Sequence, residues 1–238
     1  MLGRFPFQKN LEYIRYRLAE IFSGLIYSKY KFSEFAQIWR EDGAFLDYYR
    51  KMVGRVNYHS LDRKFTLDQL LKLTARVAGD TVECGAYEGA SSWLIYRAGK
   101  GQGKTHHVFD SFAGLNAPRK EDGEFWKPGD MTAAEEKCKS NLREFDFVKY
   151  YIGWIPQRFP EVAGWKFSFV HLDVDLHQPT QDSLEFFYPR MSPGGIILCD
   201  DYGFSTCPGS KKAMDEFFAA KPEKIVHLPT GQAFIIKA

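Results

Sequence analysis

Two short apolar runs in this chain each stop at carboxylates: Phe169-Val-His-Leu-Asp-Val-Asp-Leu-His177 and Gly194-Gly-Ile-Ile-Leu-Cys-Asp-Asp-Tyr-Gly203. An apolar run of this length ending in acids reads as a buried strand delivering them to a sheet edge. If the two strands are neighbours in a parallel sheet, Asp173, Asp175, Asp200 and Asp201 meet at their carboxyl ends, where open α/β sheets bind ligands. Four carboxylates in one place repel one another unless a cation sits among them, and Mg2+ or another divalent ion suits an all-oxygen donor set. The residues therefore point to a metal site in an enzyme. Asp200 and Asp201 taken alone could serve a turn or a helix cap; the acids on the preceding run are what favour the metal.

A second group surrounds the turn in Val82-Glu-Cys-Gly-Ala-Tyr-Glu-Gly-Ala-Ser-Ser92. A nucleotide-like ligand crossing such a turn needs backbone free of side chains at Gly85 and Gly89, and an acid such as Glu83 can hold a cationic amino group. The next strand ends in His107-Val-Phe-Asp-Ser-Phe-Ala-Gly114, so Asp110 stands where an acid accepts hydrogen bonds from two ribose hydroxyls. The dinucleotide pattern GxGxxG is absent, and the glycine turn with Asp110 points instead to S-adenosylmethionine (SAM). His106 and His107 face opposite sides of one strand and cannot share a metal. His59, His171 and His227 read as surface or satisfied core residues. Phe125, Trp126 and Lys127 lie in a loop that folds over an acceptor or packs locally.

The elements that must position these groups follow from periodicity. With 238 residues, 45% hydrophobic and 26% charged, the chain suits one main α/β domain with an appendage. Strands are expected over 81–84, 105–109, 148–152, 167–172, 195–199, 224–228 and 232–237, and helices over 91–97, 133–145, 180–188 and 210–220. Before residue 78 the pattern is helical and aromatic-rich, with helices over 32–40, 43–53 and 66–77. Strand–helix alternation forces right-handed crossovers and a parallel sheet. Pro229-Thr230-Gly231 allows only a hairpin, so the last strand is antiparallel. Six parallel strands closed by one antiparallel strand is the arrangement of the Rossmann-like class I SAM methyltransferases. Residues 1–77 are expected as a helical extension or lid, and 78–238 as the methyltransferase core.

A net charge of +2, without a basic run interleaved with aromatics, excludes nucleic acid as the expected partner. The four cysteines form no CxxC pair and two lie in strand-like runs, which suits a reducing cytoplasm. No apolar run is long enough for a transmembrane segment. Residues 10–30 carry Leu11, Ile14, Leu18, Ile21, Phe22 and Leu25 at helical spacing beside Arg15 and Arg17. A helix packed on its own domain, or on a partner subunit in a homo-oligomer, is favoured over one lying on a membrane.

In order along the chain, Glu83-Cys-Gly, Val108-Phe-Asp-Ser-Phe-Ala-Gly-Leu115, Leu172-Asp-Val-Asp-Leu176, Tyr188-Pro-Arg-Met-Ser-Pro-Gly-Gly195 and Asp200-Asp-Tyr-Gly203 resemble the macrocin O-methyltransferase family. The likeness runs from about residue 70 onwards. It implies a metal-dependent transfer of methyl from SAM to a hydroxyl, mostly a sugar hydroxyl of a natural product. It further implies that Asp173, Asp200 and Asp201 ligate magnesium and that Asp175 is the general base. SAM contacts are implied for Glu83, Gly85, Ser91, Asp110, Ser111, Gly153 and Trp154, with Tyr87, Gly89 and Asp173 completing the set. Two positions depart from the family pattern: Tyr87-Glu-Gly-Ala90 replaces aromatic-Arg-Gly-Gly, and His177 stands where a tyrosine is usual.

The chemistry needs those parts. Methyl transfer from a sulfonium is an in-line displacement helped chiefly by alignment and by activating the attacking hydroxyl. Asp175, two residues past Asp173, is the favoured base; His177 is its rival, with an ordinary pKa nearer neutrality. A catechol-type vicinal diol is the alternative acceptor. An NAD-dependent dehydrogenase or epimerase would want GxGxxG and a Tyr-x-x-x-Lys relay, both missing. A non-catalytic nucleotide-binding scaffold would not require four aspartates at two strand ends.

Overall fold

Strands rich in Val, Ile and Phe alternate with amphipathic helices and assemble one seven-stranded sheet. The structure is a computed structural model that describes residues 7–26, 38–53 and 60–238; His59 and residues 32–37 of an expected helix lie outside that set. The strands are β1 (Asp80–Cys84), β2 (His106–Asp110), β3 (Val148–Ile152), β4 (Phe167–Leu172), β5 (Met191–Cys199), β6 (Val226–His227) and β7 (Ala233–Ile236). Their order is β3-β2-β1-β4-β5-β7-β6. β1 to β5 are mutually parallel, and β7 runs antiparallel to both β5 and β6. Six strands thus share one direction and β7 opposes them, as the alternation and the hairpin require.

After β1 the chain builds outward through β2 and β3, then returns past β1 to lay down β4 and β5. Strand order reverses between β1 and β4, and the loops that leave their carboxyl ends lead away in opposite directions, to β2 and to β5. Val82, Phe109, Phe167, Leu172, Phe187 and Ile197 are fully buried around the sheet. Burying side chains of this size stabilises by about 1.5–3 kcal/mol each.

Seven helices complete the described chain: α1 (Phe7–Ile26), α2 (Gly43–Met52), α3 (Leu61–Leu73), α4 (Ala90–Gly99), α5 (Glu135–Asn141), α6 (His177–Phe187) and α7 (Pro208–Phe218). Two compact units divide at Met1–Asp47 and Tyr48–Ala238. In the first, the α1 side chains Ile14, Leu18, Ile21, Phe22, Leu25 and Ile26 are all at least 50% exposed. No helix among the described residues is long and apolar enough to cross a membrane.

Several elements differ from the sequence expectation: the helix expected over 133–145 shortens to α5, and the described end of the one expected over 32–40 is a 3-10 turn, Ile38–Glu41. α3 starts at Leu61 instead of 66, because Arg63 and Lys64 are buried and hide the inward face from a hydropathy count. It packs on α4 within the larger unit. β6 shrinks to two residues at the sheet edge. β5 reaches back to Met191, where its register with β4 shifts between Phe167 and Phe169.

Candidate active site

The turn after β1 is dictated by crowding. Gly85 has φ +83°, and a Cβ there would stand 1.8 Å from the Asp173 carbonyl oxygen. The first residues past β1 and β4 therefore touch backbone to backbone, which only glycine permits. Gly89, at φ +84°, turns the chain into α4 against Cys138 and Leu142. Asp110, closing β2, holds this turn: Oδ2 accepts from the backbone N–H of Ala86 (2.7 Å) and Tyr87 (2.8 Å), and Oδ1 from that of Phe112 (2.7 Å). Ser111 Oγ donates to the Gly114 carbonyl and accepts from Ala113 N–H. Gly153 N–H donates to the Asp110 carbonyl, and Trp154 Nε1 donates to the Gly114 carbonyl.

The acids stand beside the turn after β1. Leu172 of β4 pairs with Cys199 of β5, so Asp173 and Asp200 leave adjacent strands side by side. The carboxylate oxygens of Asp173, Asp200 and Asp201 come within 4.8 Å of one another. Asp175 adopts φ +58° and its N–H donates to Asp201 Oδ2 at 3.0 Å. Its Oδ1 accepts from the Cys207 thiol at 3.4 Å, and Trp126 Nε1 donates to that sulfur. Asp200 is surrounded by donors: Arg63 at Oδ2, and Gln232 (2.5 Å) and His171 (3.3 Å) at Oδ1.

Burial dominates the electrostatics. It pushes Asp175 up to about 7, with the Asp173 charge adding, and Asp201 up to about 8, with Asp175 and Asp200 adding. Asp173 is raised well above the carboxylate range by burial and by Asp200 and Asp201. Burial opposes ionisation of Asp200 too, but the Arg63 charge and the His171 bond hold it well below that range. Burial likewise works against a charged His171, yet its bonds to Asp200 and Glu83 push it up to about 10. Carboxyls that raise one another in a buried, all-oxygen cluster fit a hard divalent cation. Burial, with Asp201 and Asp175, also raises the Cys207 thiol, so it offers no thiolate as a competing soft ligand.

One cleft of about 280 Å³, near the lower end for small-molecule sites, is lined by both groups. Gly85, Tyr87, Ser91, Asp110, Ser111, Gly153 and Trp154 form one wall, and Asp173, Asp175 and Asp201 the other. Glu83, Gly89 and Asp200 sit behind these walls. Glu83 is 1% exposed and accepts from Ser92, while His171 Nδ1 bonds it at 2.9 Å. The structure does not bring His177 to the cleft. Its N–H donates to Asp122 as α6 begins, and its ring turns to Glu216 on α7 at 3.1 Å.

Sequence reasoning missed the cations that organise this site. Arg63 and Lys64 descend from α3, Arg63 onto Asp200 and Lys64 onto Ser91. Their only signal is an adjacent basic pair ahead of the helix expected over 66–77, which looks solvated. His171, read as a surface or satisfied core residue, is fully buried and joins Glu83 to Asp200. Phe204 and Cys207, which carry no motif, also line the cleft.

A sheet of this order, with a glycine turn after β1, an acid ending β2 and acids ending β4 and β5, defines the class I methyltransferase fold. The sequence profile of the macrocin-O-methyltransferase (TylF) family matches residues 14–227, and the chain belongs to that family. Demethyldecarbamoylnovobiocin O-methyltransferase of Streptomyces niveus is 32% identical over 161 residues, 60% of this chain and 59% of that protein. The 8-demethyl-8-(2,3-dimethoxy-alpha-L-rhamnosyl)-tetracenomycin-C 4'-O-methyltransferase of Streptomyces olivaceus is 30% identical over 145 residues, 55% of this chain and 56% of that protein. The chain thus spans under three fifths of either relative. The solved O-methyltransferase NovP superposes with a TM-score of 0.64 at 25% identity, covering 76% of this chain and 83% of that one.

Proposed function

We propose that the protein is a SAM-dependent, divalent-metal-dependent O-methyltransferase acting on a hydroxyl of a small molecule, with a sugar moiety of a natural product as the acceptor. The observation that carries this is the meeting, in one cleft, of the Asp110-stitched glycine turn and the acids of β4 and β5. Family membership and the names of the two relatives support it.

In this reading the Asp110-stitched turn, with Tyr87, Ser91, Ser111, Gly153 and Trp154, would hold SAM, which would supply an electrophilic methyl group. Asp173, Asp200 and Asp201 would hold the cation, which would acidify the acceptor hydroxyl. Asp175 takes the proton from that oxygen on its carboxylate. Tyr87, Trp154 and the loop side chains Phe125 and Trp126 exclude water and align the acceptor.

One observation favours a second acceptor class, the catechol-type diol: Phe125, Trp126, Trp154 and Phe204 all line the cleft, and aromatic faces stack flat rings well. Calorimetric titration of SAM and S-adenosylhomocysteine, with Mg2+ or EDTA, followed by turnover of sugar-hydroxyl and catechol panels, tests the whole reading. Micromolar binding of both compounds with EDTA-sensitive turnover is expected. No heat from either compound would remove the cofactor assignment, and turnover confined to catechols would replace the sugar. A cytoplasmic location and a homo-oligomer through the exposed face of α1 belong to the same proposal. Light scattering of Leu18→Glu, expected to be smaller than the parent species, checks the latter.

A further inference from the structure

Resting on the reading of Asp173, Asp200 and Asp201 as a cation site, we propose that Arg63 is the protein's own occupant of that site. It is an internal counter-cation that keeps the acid cluster assembled without a divalent ion, and a divalent ion must displace it from Asp200 to bind. The two oxygens of Asp200 are both engaged: Oδ1 accepts from Gln232 and faces His171, and Oδ2 accepts from Arg63 Nη2. The same Nη2 lies 3.3 Å from the Asp200 carbonyl oxygen and 3.8 Å from Asp201 Oδ1. One guanidinium thus spans two of the three candidate ligands, which a metal ion would otherwise draw together. A divalent ion and a guanidinium on one carboxylate oxygen repel strongly at such distances.

Arg63 is held in this position from several sides. Its guanidinium carbon lies 4.6 Å from the Phe204 ring centroid, and its carbonyl oxygen accepts from the same Gln232 amide nitrogen that bonds Asp200. Lys64, the next residue, is 1% exposed and donates to Ser91 on the cofactor wall, which ties α3 down beside Arg63. Displacement must come from the side chain swinging towards the cleft, which it lines. The arrangement lets the folded chain carry four clustered acids before any metal arrives, and it weakens metal binding as the cost of doing so.

Mn2+ binding to the full chain, read by electron paramagnetic resonance and calorimetry, tests this with Arg63→Gln, Arg63→Lys and Asp201→Asn beside the parent. Removing the charge should tighten Mn2+ binding at least about tenfold, lower the melting temperature in EDTA, and enlarge the rise in melting temperature on adding Mn2+. Arg63→Lys, which keeps the charge, should bind Mn2+ within about threefold of the parent. Folded Arg63→Gln that binds Mn2+ equally or more weakly overturns the proposal, as does tenfold tightening in Arg63→Lys. If Arg63→Gln is unfolded in EDTA, recovery of its far-ultraviolet dichroism with Mn2+ supports the proposal. Without recovery, Arg63→Lys decides by the same criterion. No Mn2+ binding by the parent, or binding unchanged in Asp201→Asn, refutes the cation site itself and the role of Arg63 with it.

Discussion

The two walls of the cleft are built on opposite physical plans. On the cofactor wall the backbone dominates: Gly85 and Gly89 free the chain to turn, and Asp110 is consumed by three N–H groups. Its hydrogen bonds from Asp110 span at most 24 positions, although the Asp173 carbonyl also enforces the glycine at 85. On the acid wall side-chain charge dominates, and the compensating groups come from far away: Arg63 from α3, His171 from inside β4 and Gln232 from the approach to β7. A turn can be specified by neighbours along the chain, whereas a buried cluster of charge is tolerable only if distant elements deliver its partners.

Four substitutions break or sharpen that contrast. The largest effect should come from Asp200→Ala, which leaves Arg63 and His171 buried without their shared carboxylate. A loss of about 3–5 kcal/mol in urea unfolding is expected, with turnover below detection. Gly85→Ala links the walls, because its methyl group would collide with the Asp173 carbonyl. It should cost about 3 kcal/mol or more through clash and left-handed strain, and weaken S-adenosylhomocysteine and Mn2+ binding together. Loss of only one would mean the walls are independent.

Asp110→Asn should separate them. An amide presents only one acceptor oxygen where three N–H groups now converge, so S-adenosylhomocysteine affinity should fall by about 10–100-fold. Mn2+ affinity should stay within about twofold, since Asp110 is no ligand in this reading.

Glu223 provides the control far from both walls. It takes bonds from Lys237, Tyr188 and the Ala238 N–H, and although burial opposes it, these hold its carboxyl down at about 2. A depressed carboxyl contributes stability that is present above its unfolded pKa of about 4.3 and is lost as pH falls towards 2. Glu223→Gln should cost about 1–2 kcal/mol at pH 7, flatten the decline in stability between pH 5 and 2, and leave ligand affinities unchanged. A parent-like acid decline in the variant would assign that decline to other groups.

How far the sequence could be read depended on the range of the interaction. Strand–helix alternation was legible because its determinants lie within a few residues, and the turn after β1 because its glycines show in the sequence, although Asp110 and Asp173 fix it from farther along the chain. The approach of Asp173 to Asp200 was legible because two apolar runs ending in acids have few arrangements in a parallel sheet. His177 illustrates the limit. It sits two residues past Asp175, and sequence distance put it beside the acids, but the onset of α6 turns its ring towards Glu216. Arg63 and Lys64 mark the other limit, because buried cations in a helix look like solvated ones until their partners are known.

By itself, then, the sequence determined the sheet, the glycine turn and the presence of acids at two strand ends, all consequences of local periodicity and of the steric freedom of glycine. Only the tertiary structure decided which of those acids face the cleft, which are held behind it, and that Arg63 of α3 already balances their charge. Those are questions of burial and Coulomb interaction between residues 26 to 137 positions apart, and no local pattern carries that information.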